Sequence, residues 1–287
     1  MKVLEALTLV GDGARRDVAG REGCVEGMGR CIVLCERVRR AENAVGQGVL
    51  ERATEALVAL SRVLMNISAD DSDCAHRVGS ASRVLSALSQ AVLFRPADAE
   101  EASRSKAEAR GRDEMDEDEG EDGQDLAGRE YDVIISCLCL LINVVSGDAD
   151  AKNALRKTSF GQSCSGSGKC ALLCCCSDRR PVFEWIVEMY SADLPLFNET
   201  ERNLIRSYIA FLLGTVCVSN GTNLDSIRDL LPGCTFHPLT TQLEDFVRYQ
   251  QEVIVKKAVD AVGGNGRNVE KASRRVILVL EEMKEFA

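Results

Sequence analysis

Cys164, Cys170, Cys174, Cys175 and Cys176 crowd into TSFGQSCSGSGKCALLCCCSDRR (158–180), a stretch biased to Ser, Gly and Cys. Thiolates at this density could hold zinc or exchange disulfides. The spacing contains no paired Cys-x₂-Cys knuckles, and the two histidines, His76 and His237, are far away in sequence. The stretch therefore reads as a reduced, oxidation-prone flexible loop, and neither a metal nor a cofactor is expected.

Two other patterns could bind ions or nucleotides. GSGKC (166–170) resembles part of a phosphate loop, but Ser163 stands where the first glycine belongs and Cys170 where Ser or Thr belongs. No strand is expected before it. Asp118 to Arg129 has the outline of a calcium loop, with Asp118, Asp122 and Gly123 in place, yet Gly120 occupies a ligand position and Arg129 the place of the closing Glu. No Cys/His or Ser/His/Asp context supports nucleophilic catalysis, and Glu281-Glu282 belongs to a solvated helix face. No catalytic residue is assigned, no small-molecule substrate is expected, and the chain is read as no enzyme.

Leu, Ala, Val, Glu and Arg dominate, aromatics are 5% and there are five prolines, which favours helices over strands. The fold class expected is all-α. No run reaches the roughly 18 apolar residues of a membrane span, so no membrane partner is expected. Cys31, Cys35, Cys137, Cys139 and Cys217 lie in apolar helical runs, where free thiols pack as small hydrophobes; a reducing compartment fits. Of the formal net charge of −10, residues 97–128 carry 13 acidic and 4 basic side chains, leaving the rest near neutral. Without clustered Lys and Arg, no direct nucleic-acid contact is expected.

Leu57, Leu60, Val63, Leu64 and Ile67 follow the spacing of one helix face. Short helices are expected around 72–79 and at 82–94, then a helix at 131–146 that is apolar on nearly every side and hence central. Further helices are expected at 182–190, 199–218, 223–231, about 238–262 and about 268–285, the last capped by Asn268. No run alternates cleanly enough for a strand. The acidic segment 97–128 is read as a disordered insertion, with too little apolar surface to offset ordering entropy. Three regions follow: helical repeats over 1–96, the insertion over 97–128, and helical repeats over 129–287 with a flexible loop at 158–180.

LMNISADDSDCAHRV, LLINVVSGDADAKNAL and LLGTVCVSNGTNLDSIRDLL repeat one pattern, with Asn66, Asn143 and Gly214 in equivalent places. This spacing points to a HEAT/armadillo-type helical repeat array, an α-solenoid in which each unit buries its apolar face only by stacking on a neighbour. A buried amide costs about 1–3 kcal/mol unless it is bonded, so Asn66 and Asn143 are expected to tie adjacent backbone, and Gly214 to replace the tie with close packing.

SYIAFLLGTVCVSNGTNLDSIRDLLP (207–232), GCTF (233–236), Leu243, Phe246 and RVILVLEE (275–282) carry a more specific signal. The skeleton Ser207, Tyr208, Ala210, Leu212, Leu213, Gly214, Cys217, Asn223, Arg228, Leu231 and Pro232 resembles the end of the wings apart-like (Wapl) family. The likeness extends over about 133–287. It implies the C-terminal portion of a HEAT-repeat domain, without the family's long unstructured N-terminal region. By that resemblance the chain would bind the cohesin complex and its HEAT-repeat regulatory subunits, promote cohesin's release from DNA, and be nuclear and chromatin-associated. The start of the helix at 199, with Thr200, Glu201 and Leu204 on one side, matches a surface implicated in cohesin engagement. Glu201 also suits the positive end of a helix dipole, an alternative role worth about 0.3–1 kcal/mol. The other readings are a general armadillo-type adaptor with another protein partner, and a cysteine-based redox or zinc protein built on 164–176.

Overall fold

The computed structural model describes residues 12–41, 45–69, 71–93, 120–161, 164, 170, 175–260 and 266–286, with backbone alone at 12, 82, 120–125, 253–260 and 266–272. Its helices are α1 (Asp12–Gly20), α2 (Cys24–Arg40), α3 (Gln47–Ser68), α4 (Ser72–Gly79), α5 (Ser82–Leu93), α6 (Gly120–Ser146), α7 (Ala149–Lys157), α8 (Val182–Ser191), α9 (Glu199–Cys217), α10 (Gly221–Leu230), α11 (His237–Asp260) and α12 (Gly266–Lys284). The expected all-α class holds. The exception is an antiparallel ladder of β1 (Ser159–Phe160) and β2 (Arg180–Pro181), pairing Ser159 with Pro181 and Phe160 with Arg180. Two residues per strand are too few for alternation to show in the sequence. The chain divides into two compact units, residues 1–202 and 203–287, the boundary falling inside α9.

Within the first unit, helix lengths cycle. α1, α2 and α3 have 9, 17 and 22 residues, and α4, α5 and α6 have 8, 12 and 27. Among the described helices, several pack on the one three further along: α2 on α5, α3 on α6, α4 on α7, and α5 on α8. The apolar stripe read on α3 is the reason. Leu57, Leu60, Val63, Leu64 and Ile67 are all buried, and α3 faces both α2 and α6. The expectation that 131–146 is central also holds. α6 is covered by α3, α4, α5 and α7, and buries Val133, Ile134, Cys137, Leu138, Leu140, Leu141, Val144 and Val145.

The turn after each patterned long helix is fixed in the same way. Asp71 caps α4 by accepting from the Cys74 N–H at 2.9 Å, and Asp148 caps α7 by accepting from the Asp150 N–H at 2.8 Å. Asn220 caps α10 by accepting from the Asn223 N–H at 3.1 Å. An Asx side chain here satisfies a backbone donor that the first turn leaves unpaired, which lets the chain reverse abruptly between two helices.

The second unit pairs α11 with α12. Tyr208 on α9 meets Phe246 on α11 edge to face, with ring centroids 5.1 Å apart, and Gln242 donates to the Ser207 hydroxyl at 2.9 Å. Val279 and Met283 of α12 approach Gly214 of α9, so α9 is held against both later helices.

Several boundaries differ from those expected. α6 starts at Gly120, so residues 120–128 of the expected acidic insertion are helical, while 97–119 lie outside the described residues. Helical backbone over 120–129 also removes the looped shape a calcium site of that outline needs. Apolar packing further along α6 propagates the helix backwards, since adding a residue to an existing helix is far easier than nucleating one. α12 begins at Gly266, which puts Asn268 inside its first turn rather than at its cap. Gly263 and Gly264 lie outside the described residues.

Candidate functional site

Thr200, Glu201 and Leu204 all fall in the first turns of α9, with Thr200 exposed and the other two half-buried. Asn198 accepts from the Glu201 N–H at 3.0 Å, while Glu201 Oε2 accepts from the Asn198 N–H at 3.0 Å. This reciprocal capping box gives the Glu201 carboxylate a local structural partner. The side chains left for an outside contact are Thr200 and Leu204, one turn apart.

Asn143 does what its position suggested. Its Nδ2 donates to the Met65 carbonyl at 3.1 Å, joining the end of α6 to the end of α3. Asn66 is half-buried beside that acceptor on α3. Gly214 has no side chain because it cannot: a Cβ there would lie 2.6 Å from Val279 Cγ1 and 3.5 Å from Met283 Cγ. The matching amide in the second unit is Asn223, fully buried, whose Nδ2 donates to the Val216 carbonyl at 3.1 Å.

The skeleton that carries the family resemblance is built into packing. Ser207 is buried and donates to the Asn203 carbonyl at 2.8 Å; Ala210, Leu212, Leu213, Cys217 and Leu231 are core; Arg228 pairs with Asp225 at 2.7 Å. The Ser207 and Arg228 contacts lie within single helices, and the apolar members of the skeleton are core.

A buried ionic cluster, with no repeat motif in the sequence to announce it, ties α2 to α6. Arg39 Nη2 donates to both oxygens of Glu130 at 3.0 and 2.9 Å, and Nη1 donates to Glu36 Oε2 at 3.0 Å. The three side chains are almost entirely buried, and Glu36 Oε1 has no hydrogen-bond partner. One guanidinium serves two carboxyls. Burial pushes Glu36 up to about 7 despite the pull of Arg39 and Arg40, and Glu130 adds to the push.

The thiol-rich loop is the chemically distinctive part of the molecule. Spacing alone gave no reason to group its sulfurs, yet the Sγ atoms of Cys164, Cys170 and Cys176 lie within 4.8 Å of one another. Cys170 Sγ is 3.7 Å from Cys176 Sγ and 3.4 Å from Cys175 Sγ, and it accepts the Cys175 N–H at 3.4 Å. Cys174 and the phosphate-loop-like residues 165–169 lie outside the described residues.

The base of this loop is well anchored. The β1–β2 ladder closes it, and Trp185 Nε1 on α8 donates to the Phe160 carbonyl at 3.1 Å. The Trp185 ring stacks on Phe160 and carries the Arg180 guanidinium 4.2 Å from its centroid, while Arg180 also pairs with Glu184 and Glu188. Gly161 permits the closure: a Cβ there would come within 2.9 Å of Cys176 Cβ.

The twelve described cysteines are free thiols, and surroundings act in opposite directions on a few of them. Burial pushes Cys74 and Cys137 up to about 12, which makes them inert core residues. Hydrogen bonds from the Cys175 backbone and thiol, and from Cys176 and Cys164, bring Cys170 down to about 7. Among the described residues, no helix is long and apolar enough to cross a membrane. Comparison with protein-family models finds no match for this chain, and comparison with curated proteins finds none either.

Proposed function

We propose that the chain is a non-enzymatic, protein-binding scaffold of the Wapl type, built as a HEAT/armadillo-type helical repeat array. In this reading it docks on the cohesin complex and its HEAT-repeat regulatory subunits and promotes cohesin's release from chromatin in the nucleus. The observation that supports it most is the stacking of α2 on α5, α3 on α6, α4 on α7 and α5 on α8, with Asn143 bonded across a repeat boundary to the Met65 carbonyl. A three-helix period stacked in this way buries its apolar faces only through its neighbours, as solenoid repeats do. Such arrays bind partners along extended surfaces. The Wapl-type skeleton from Ser207 to Pro232 supports the partner class through its sequence likeness.

The docking surface in this reading is the entry to α9. Because Glu201 is held in the capping box, the contact is assigned to Thr200 and Leu204, with Glu201 shaping the helix start. The test compares Thr200→Arg/Leu204→Ala with Glu201→Gln, a change that keeps a box-forming side chain. Binding to purified cohesin subunits is measured beside thermal unfolding. The double variant should lose about 2 kcal/mol or more of affinity, the scale of an interface hot spot, with little change in melting. Glu201→Gln should bind like the parent. No association of the parent chain with cohesin subunits would refute the partner, and parent-like binding by the double variant would refute the surface.

A further inference from the structure

We propose that Cys164, Cys170 and Cys176 form a three-thiolate site for a soft d¹⁰ cation, zinc above all, that locks the 158–180 loop onto its β-ladder. A zinc–sulfur bond of ~2.3 Å in tetrahedral geometry sets neighbouring sulfurs about 3.8 Å apart. The Cys170–Cys176 separation of 3.7 Å meets that requirement, and all three sulfurs fall within 4.8 Å of one another.

The three ligands differ in how they are held. Cys164 is buried, and its N–H donates to the Gly161 carbonyl at 3.1 Å. The Cys176 carbonyl accepts the Arg179 N–H at 3.4 Å, just before β2 begins. Cys170 comes from the middle of the loop and is half-exposed. Equal spacings of six residues separate the three positions in the sequence. Two of the three sulfurs contribute little to a hydrophobic core, since Cys170 and Cys176 remain partly open to solvent. A metal gives this arrangement a physical reason that packing does not.

Cys175 is a neighbour rather than a member. Its sulfur is 3.4 Å from that of Cys170 but lies outside the mutually close trio, so among the described residues three ligands are supplied. Binding breaks three S–H bonds, forms three Zn–S bonds and releases three protons to solvent. No electron is transferred, and no oxidant or reductant is required. The function assigned to such a centre is structural: it orders a long insertion between α7 and α8.

The full chain, reduced and stripped with a chelator, is titrated with zinc against a chromophoric competitor, and with cobalt as a spectroscopic probe. One equivalent should bind, with the sulfur-to-cobalt charge-transfer bands of a thiolate site and protection of the loop against proteolysis. Cys164→Ser, Cys170→Ser and Cys176→Ser should each weaken binding at least about a hundredfold while circular dichroism stays parent-like. Cys175→Ser and the distant Cys31→Ser should stay within about tenfold of the parent. Parent-like affinity in Cys170→Ser, or loss of the ion in Cys175→Ser, would overturn the trio. A Cys170–Cys175 disulfide in the unreduced chain, with no metal uptake after reduction, would identify a redox pair and overturn the metal site.

Discussion

The two units of this chain solve the same problem with different chemistry. In the first, long helices are joined by polar groups that cross between them: Asn143 reaches the Met65 carbonyl, and Arg39 binds Glu36 and Glu130 in a buried cluster. In the second, the position equivalent to Asn143 is Gly214, and contact is made by bringing Val279 against bare backbone. The buried polar residues described in the second unit are uncharged: Ser207, Thr215, Asn223, Thr240 and Ser273. A polar tie specifies register but leaves an uncompensated group when broken, whereas a close approach needs no hydrogen bond and tolerates no added atom.

The largest effect that would sharpen this contrast is expected from Arg39→Ala. Removing the guanidinium that bonds both carboxyls leaves Glu36 and Glu130 buried without it and should cost about 3–5 kcal/mol. Hydrogen exchange should then lose protection across α2, α3 and α6, with residues 203–287 little changed. Uniform loss over both units would break the contrast.

pH probes the same cluster more gently. Glu36 is raised to about 7 by burial, so the folded state holds its proton more tightly than the unfolded state, where the ordinary value is 4.5. The contribution to stability is fully present below that ordinary value and is lost as pH rises through about 7. The loss should be on the order of 3 kcal/mol across the window. Chemical denaturation at a series of pH values should show this slope in the parent and a flatter one in Glu36→Gln. An unchanged slope would assign the titration to another group.

The smallest pair tests the two repeat solutions directly. Asn143→Leu removes one of the donors to the Met65 carbonyl, which keeps the Ala69 N–H and the Ser68 hydroxyl, and should cost about 0.5–1.5 kcal/mol, the net worth of one hydrogen bond. Gly214→Ala adds a Cβ 2.6 Å from Val279 Cγ1, and overpacking of that kind costs about 1–3 kcal/mol, offset in part by about 1 kcal/mol of helix propensity. Adding Val279→Ala should rescue Gly214→Ala and do nothing for Asn143→Leu. Rescue of both would mean that the two positions are not separate solutions.

Most of the helical skeleton could be read from the residues. Leu57 to Ile67 announced a one-sided helix, and the unbroken apolar run of 131–146 announced a helix covered on several sides, because burial leaves a period in the sequence. Asp71, Asp148 and Asn220, which cap the helices after the long ones, act through local interactions of the kind residue types can signal. The candidate sites were less legible. At Thr200, Glu201 and Leu204 the residue types allowed either a docking surface or a helix cap, and the structure supplies the cap partner for Glu201 in Asn198, three residues away.

What the sequence determined by itself was what local spacing can encode: all-α class, most of the helices and the asparagine worth tying down. Only the tertiary structure decided which distant groups meet. Arg39 and Glu130 are 91 positions apart, Asn143 and Met65 are 78 apart, and neither pair leaves a periodic trace. The sulfurs of Cys164, Cys170 and Cys176 converge because a two-residue ladder and the bare α-carbon of Gly161 close the loop beneath them. Spacing along a chain limits how far a loop can reach, but where it returns is set by what its ends are packed against.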